Sequence, residues 1–263
     1  MRIGPKVPAL VTGASSGIGE EFARQLASRG HAVTIVARRE DRLEELAAHL
    51  RTAHKVTVEP FVADLETARG RDSVVRRLRE RSPWLLVNNA GFGSRGRLAE
   101  LDPGRERAEV QVNVVAVQQL SLAVLPGLLS ERDGGIINVA STAAFQPIPF
   151  MATYAATKAF VLYFTEALAE QLHGTGARAM ALCPGPVDTE FADVAGTVDY
   201  HRRSRLIAMT PERCVKDALH AFDRGSAVCI PGILNEVLAQ GPRFAPRGFV
   251  RKVTARIINN PSG

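Results

Sequence analysis

Residues Ala9-Leu10-Val11-Thr12-Gly13-Ala14-Ser15-Ser16-Gly17-Ile18-Gly19 decide the architecture. Three apolar residues stop at a glycine-rich run, and Phe22, Leu26 and Ala27 then recur at helical spacing, so the stretch reads as strand, glycine turn, helix. Glycine lets the backbone turn sharply and approach a bound group closely, while the amides that open a helix receive negative charge. In that strand-to-helix context the loop is a candidate cradle for a dinucleotide pyrophosphate.

Outward from this loop, apolar runs alternate with helical patterns. Strands are expected at 32–37, 56–62, 84–87, 136–140, 177–183 and 227–230. Between them, Leu43, Leu46, Ala47 and Leu50 line one helix face, and Val74, Val75 and Leu78 another. Longer helices are predicted from about Pro103 to Leu129, through Tyr154 to about His173, and over 211–222. Trp84-Leu85-Leu86-Val87 is apolar throughout, which suits a parallel strand buried on both faces. The alternation predicts an α/β fold: one parallel sheet with helices on both sides.

The chemistry-bearing residues fall at the carboxyl ends of these strands, where ligands bind in open α/β sheets. The second strand ends at Arg38-Arg39 with no acidic residue, and Glu40 and Asp41 start the next helix. An acid there would bind free ribose hydroxyls, whereas arginine accommodates an additional phosphate, so the charge points to NADP over NAD unless both arginines only solvate a loop. Asp64 is placed equally to cap the following helix or to contact an adenine. Asn113 lies among valines in the long helix, either as a satisfied core amide or as a site residue that distorts the helix to bind water. Ser141 ends the fifth strand, facing the crevice or starting a turn with Thr142. Tyr154 and Lys158 are four residues apart on a helix and share a face. A phenol ionises near about pH 10, and a neighbouring cation would lower that value. Alone, such a pair is commonly an accident of a solvated helix.

Composition excludes several alternatives. The 263 residues are 46% hydrophobic and 23% charged, ordinary for a soluble domain. The net charge of +6 is spread along arginine-rich helices without the aromatic pattern of an RNA-binding surface, so no nucleic-acid partner is expected. Cys183, Cys214 and Cys229 fit neither a disulfide framework nor a metal site, and no metal is expected. No signal-like region follows the amino terminus, and no uninterrupted apolar run is long enough to span a bilayer, so a cytoplasmic location is expected.

Taken together, Thr12 to Gly19, Asn88-Asn89-Ala90-Gly91, Asn113, Ser141, Tyr154, Lys158 and Pro184-Gly185, in that order, resemble the classical short-chain dehydrogenase/reductase family over roughly residues 8–230. The resemblance implies a Rossmann-type, doubly wound sheet of seven strands in the order 3-2-1-4-5-6-7 and a nicotinamide cofactor. It implies that Tyr154 exchanges a proton with a carbonyl oxygen, that Lys158 lowers the phenol's pKa and holds the nicotinamide ribose, and that Ser141 orients the substrate. Asn113 would hold a water linking Lys158 to a proton relay. On the cofactor side it implies Gly13, Ser15, Ser16, Gly17, Ile18 and Gly19 at the pyrophosphate loop, and Arg38 with Arg39 at the adenosine phosphate. Asp64 and Leu65 would lie near adenine, and Asn89, Ala90 and Gly91 along the ribose. Pro184, Gly185, Val187 and Thr189 would lie at the nicotinamide. Ser16 departs from the pattern, because many NADP-dependent members carry a basic residue there.

The expected activity is NADP-dependent interconversion of a hydrophobic ketone or acyl carbonyl and its secondary alcohol. A non-catalytic cofactor-binding regulator or scaffold with the same fold is the alternative. Phe145, Pro147, Ile148, Phe150, Met151, Phe191 and Val194 are the expected apolar pocket, and Asp193, Asp199, His201, Arg202, Arg203 and Arg205 make the later part of that segment polar. Residues 1–231 form the cofactor-binding and catalytic domain, and 232–263 a basic amphipathic extension. There Val237, Leu238, Phe244, Phe249, Val250, Val253, Ile257 and Ile258 mix with Arg243, Arg247, Arg251, Lys252 and Arg256, while Pro242 and Pro246 interrupt any long helix. The extension is expected to pack on its own domain or a partner subunit, or to touch a membrane surface. Apolar positions on several sides of the helices around Asn113 and Tyr154 point to a homo-oligomer.

Overall fold

The computed structural model describes residues 7–80, 84–191 and 208–259. Seven strands form one sheet in the order β3-β2-β1-β4-β5-β6-β7. They are β1 (Ala9–Thr12), β2 (Val33–Ala37), β3 (Val58–Val62), β4 (Leu85–Asn88), β5 (Gly135–Val139), β6 (Arg178–Leu182) and β7 (Val228–Cys229), and every pairing is parallel. This is the Rossmann-type order that the resemblance implies. The chain runs outward twice from the centre, so Ala9 of β1 pairs with both Val33 and Leu85, and a crevice opens at the carboxyl ends of β1 and β4.

The two-residue period of each strand divides the core. Ala9 and Val11 of β1 enter one cluster while Leu10 enters the other, and Leu85 and Val87 of β4 are separated from Leu86 in the same way. The first cluster is closed by α1 (Gly17–Ser28), α2 (Glu40–His54) and α7 (Pro211–Asp223), through Phe22, Leu50 and Phe222. The second is closed by α3 (Ala68–Arg79), α5 (Val117–Glu131) and α6 (Ala152–Gln171).

Helix starts follow their side chains. Asp102 accepts a hydrogen bond from the Arg105 amide (2.8 Å) ahead of Pro103, and Thr210 caps α7. Asp64 does not cap α3. Thr67 does so by accepting from the Gly70 amide, while the Asp64 carboxylate accepts from the amide of Glu66, two residues on.

The helix expected between Pro103 and Leu129 is broken in character. It comprises α4 (Pro103–Val110), a π-helical turn over Gln111–Ala116, and α5. By composition Pro103–Glu131 is long and apolar enough to cross a membrane, with a mean hydropathy of 1.7 in its most apolar window, yet half of that window is buried in this fold. Two further helices, α8 (Ile233–Gln240) and α9 (Arg247–Asn259), are separated by a short 3-10 turn over Gly241–Phe244. The breaks fall at Pro242 and Pro246. All three cysteines are buried and unpaired.

Candidate active site

A cavity of about 970 Å³ runs from the glycine loop, across the carboxyl ends of the strands, to α8 and α9. At one end Gly13 has φ +66°, and a Cβ there would lie 2.8 Å from Ala90 Cα, so only glycine permits the loop to sit against the end of β4. Ser16 precedes α1 in extended conformation without a side-chain cap, which leaves the first amides of the helix facing the cavity as an anion site. Gly19 does not line the cavity. It is buried, and a Cβ there would strike the Asn89 amide and the Gly13 carbonyl oxygen, so its smallness serves packing within the loop. Asn89 secures the same region by donating to Thr12 O (2.9 Å).

Arg38 is exposed at the cavity edge. Arg39 turns back over the loop, donating to Ser15 Oγ (2.9 Å) and Ser16 Oγ (3.0 Å) and pairing with Glu190 (3.0 Å), which also pairs with Arg42 (2.6 Å). Ser15, Ser16, Gly17 and Ile18 line this end. Asp64, Leu65, Asn89, Ala90 and Gly91 line the middle, and Pro184, Gly185, Val187 and Thr189 the far side. The cradle therefore fits a dinucleotide.

The fifth strand delivers Ser141, whose Oγ accepts from the Ala143 amide (3.1 Å) and hydrogen-bonds Tyr154. On α6, Tyr154 and Lys158 are both buried at the cavity floor, with the Lys158 nitrogen 5.8 Å from the phenol ring centroid. Lys158 donates to Val139 O (2.8 Å). Burial pushes the phenol up to about 12; the Ser141 hydrogen bond lowers it and Glu109 raises it. The expected depression by Lys158 does not emerge in the protein alone, because burial also lowers the ammonium, to about 8. Phe191 tilts against Tyr154, their ring centroids 5.4 Å apart.

Asn113 sits in the π-helical turn, fully buried. Its amide donates to Phe92 O (2.8 Å) and Thr157 Oγ1 (3.1 Å), and its oxygen accepts from the Phe92 amide (3.2 Å). Both readings of its sequence context hold in part: the helix is distorted, and the side chain is satisfied by the Phe92 main chain and the Thr157 hydroxyl. A Cβ on Gly91 would lie 2.9 Å from Asn113 Oδ1 and 3.3 Å from Lys158 Nζ, so Gly91 keeps the space between them open.

Sequence reasoning missed Glu109. It is fully inaccessible, one helical turn before Asn113, and among the described residues its carboxylate makes no well-formed hydrogen bond, although the Ser94 hydroxyl is near enough to favour its charged form. Burial raises its pKa to about 7; Ser94 lowers it, Glu106 raises it, and Lys158 and Arg105 lower it. Within Arg105-Glu106-Arg107-Ala108-Glu109 it reads as one more charge on a solvated face. Its four-residue spacing from Asn113 was the available signal.

The apolar wall also differs from expectation. Ile148, Met151 and Phe191 line the cavity; Phe145, Pro147 and Phe150 do not. Phe145 lies beneath the Arg243 guanidinium, 5.8 Å from its ring centroid, and the Phe150 carbonyl binds the Gly96 amide. Val194, Asp193, Asp199, His201, Arg202, Arg203 and Arg205 lie outside the described residues, as do the side chains of Ile257 and Ile258. Leu238, Phe249, Val250 and Val253 supply wall instead, so the extension folds back over the cavity.

The short chain dehydrogenase profile matches residues 8–197. The chain belongs to the short-chain dehydrogenase family. It is 34% identical over 213 residues to an uncharacterized oxidoreductase of Staphylococcus epidermidis, covering 80% of this chain and 90% of that protein. It is 27% identical over 243 residues to the human very-long-chain 3-oxoacyl-CoA reductase, covering 90% and 76%. A short-chain dehydrogenase from Sphingobium yanoikuyae in complex with NADPH superposes with a TM-score of 0.83 at 34% identity, covering 92% of this chain and 94% of that one. The bulky-bulky ketone specific alcohol dehydrogenase from Comamonas testosteroni superposes at 0.77 with 32% identity, covering 91% and 99%. The protein is an NAD(P)-dependent oxidoreductase acting on CH–OH groups.

Proposed function

We propose that this protein uses NADP to interconvert a bulky hydrophobic ketone or acyl carbonyl and its secondary alcohol. The observation that carries the reading is a single cavity joining the glycine loop to Tyr154, Ser141 and Lys158 and ending in apolar wall. When bound, the nicotinamide cofactor supplies the hydride. In reduction, Tyr154 gives its phenolic proton to the carbonyl oxygen as that oxygen becomes alkoxide-like. A phenol near 12 is a competent acid toward so strong a base. Ser141 orients the carbonyl oxygen, and Lys158 opposes the phenolate that remains until a proton returns. Asn113, by holding Phe92 and Thr157, fixes the wall and the helix on which Tyr154 and Lys158 stand.

NADP is favoured because Arg38 lies exposed at the cavity edge while Arg39, hydrogen-bonded to Ser16, brings a cation to the place that Ser16 left without one. The NADPH complex of the Sphingobium relative accords with this choice. A bulky substrate accords with the Ile148, Met151, Phe191 and Leu238 wall and with the ketone specificity of the Comamonas relative. Buried, unpaired thiols accord with a cytoplasmic location, and exposed Leu122, Leu129 and Tyr163 with a homo-oligomer.

The test is NADPH oxidation across a panel of bulky ketones. Tyr154→Phe is expected to lose about 10²–10⁴-fold in kcat/KM, the range for a positioned acid. Equal rates in the two proteins would favour the non-catalytic alternative.

A further inference from the structure

The outer surface of α8 and α9 is apolar and basic at once. On α8, Asn235 and Ala239 face inward, while Ile233, Leu234, Val237 and Leu238 are exposed. Phe244 follows at 90% exposed and Phe249 at 63%. Six large apolar side chains exposed on two short helices and the turn between them mark a contact surface. On the same segment Arg243, Arg247, Arg251, Lys252 and Arg256 are all exposed, against the single carboxylate of Glu236 between residues 233 and 256.

Two properties select the occupant. Five cations on the same segment as these apolar side chains complement an anionic lipid surface, into which the apolar groups insert and to which the cations bind. The same patch enters the active-site cavity, because Leu238 and Phe249 are both exposed and cavity-lining. A surface serving only to join two copies of the chain has no need of cations on one side and an open route inward on the other.

We propose that α8 and α9 dock on an anionic bilayer and admit an amphiphilic carbonyl substrate from the lipid directly into the cavity. Docking stands on the surface alone; substrate delivery rests on the function proposed above. Ile233, Val237 and Phe244 enter the headgroup boundary, and Arg247 and Arg251 contact lipid phosphates.

The test uses the full chain in co-sedimentation with vesicles of phosphatidylcholine mixed with phosphatidylglycerol, and with vesicles of phosphatidylcholine alone. Wild type is expected to pellet with the first and far less with the second. Arg247→Gln with Arg251→Gln should lower the partition coefficient on anionic vesicles about 30-fold, from about 1 kcal/mol per cation near such a surface. Val237→Ser with Phe244→Ser should abolish binding to both. None of these four residues lines the cavity, so turnover of a water-soluble ketone should be unchanged, while turnover of a vesicle-borne long-chain ketone falls with binding. Wild type remaining in the supernatant with anionic vesicles would overturn docking. So would conversion of an oligomer to monomer by Val237→Ser with Phe244→Ser in sedimentation velocity, which would assign the face to a second copy. Vesicle binding with no turnover of either ketone would uphold docking and overturn the proposed function, whereas turnover of the vesicle-borne ketone that did not fall with binding would overturn delivery.

Discussion

Replacing Glu109 by glutamine removes a charge while keeping its shape. In the unfolded chain this carboxyl ionises near its ordinary value of 4.5, whereas the native protein holds the proton until about pH 7. Between those values the folded state binds the extra proton, so stability falls as pH rises from 4.5 to 7 and stays lowered above it. At 1.36 kcal/mol per pH unit, the ionised native protein is destabilised by about 3 kcal/mol. Glu109→Gln should therefore match wild type near pH 4.5 and exceed it by up to about 3 kcal/mol at pH 8. That is roughly 6–12 °C in Tm at 2–4 °C per kcal/mol. The substitution also removes the anion that supports the Lys158 ammonium, whose pKa is already lowered to about 8. That value should fall further, and the alkaline decline of kcat/KM should move to lower pH in the variant. Thermal unfolding from pH 4.5 to 8.5 and pH–rate profiles measure both. Parallel stability curves for the two proteins, or an unmoved alkaline limb, would refute the reasoning.

Arg38→Asp should weaken NADP binding by at least tenfold more than NAD binding, by exchanging a phosphate partner for a repelling carboxylate; competitive titration of the two cofactors checks this. Asn113→Ala strands the Phe92 main chain and should cost roughly 2–6 kcal/mol in denaturant unfolding, at about 1–3 kcal/mol for each of the two groups left unpaired, with a drop in kcat. Gly19→Ala should weaken cofactor binding and lower Tm, because its methyl meets the Asn89 amide and the Gly13 carbonyl. Gly248→Ala, with nothing within 4 Å, should leave both unharmed in the same assays.

The sheet was legible because its signals are local. Leu10 and Val11 face opposite cores through nothing more than strand period, and Gly13 sits where a turn must bend. Tyr154, Lys158, Ser141 and Asn113 could be named because their types and order along the chain resemble the short-chain dehydrogenase/reductase pattern, each being ambiguous in its own segment. Other features depend on neighbours distant in sequence. Arg39 belongs to the second strand end but bonds the first loop and Glu190, so its partners had no signature in its own segment. The desolvation of Glu109 is set by packing that its charged flanks conceal. Phe145 and Phe150 looked like pocket residues by type, yet the turn over Thr142–Phe145 directs one beneath Arg243, while the wall is completed from α8 and α9.

The burial of Cys183, Cys214 and Cys229 has a practical side. Each thiol is pushed upward by desolvation, Cys229 to about 12, so almost none exists as the nucleophilic thiolate at neutral pH. Alkylating reagents and mild oxidants will find little to attack in the native protein. A cysteine introduced on the surface, for instance at position 244, would serve as a site-specific attachment point for a maleimide fluorophore in the wild-type background.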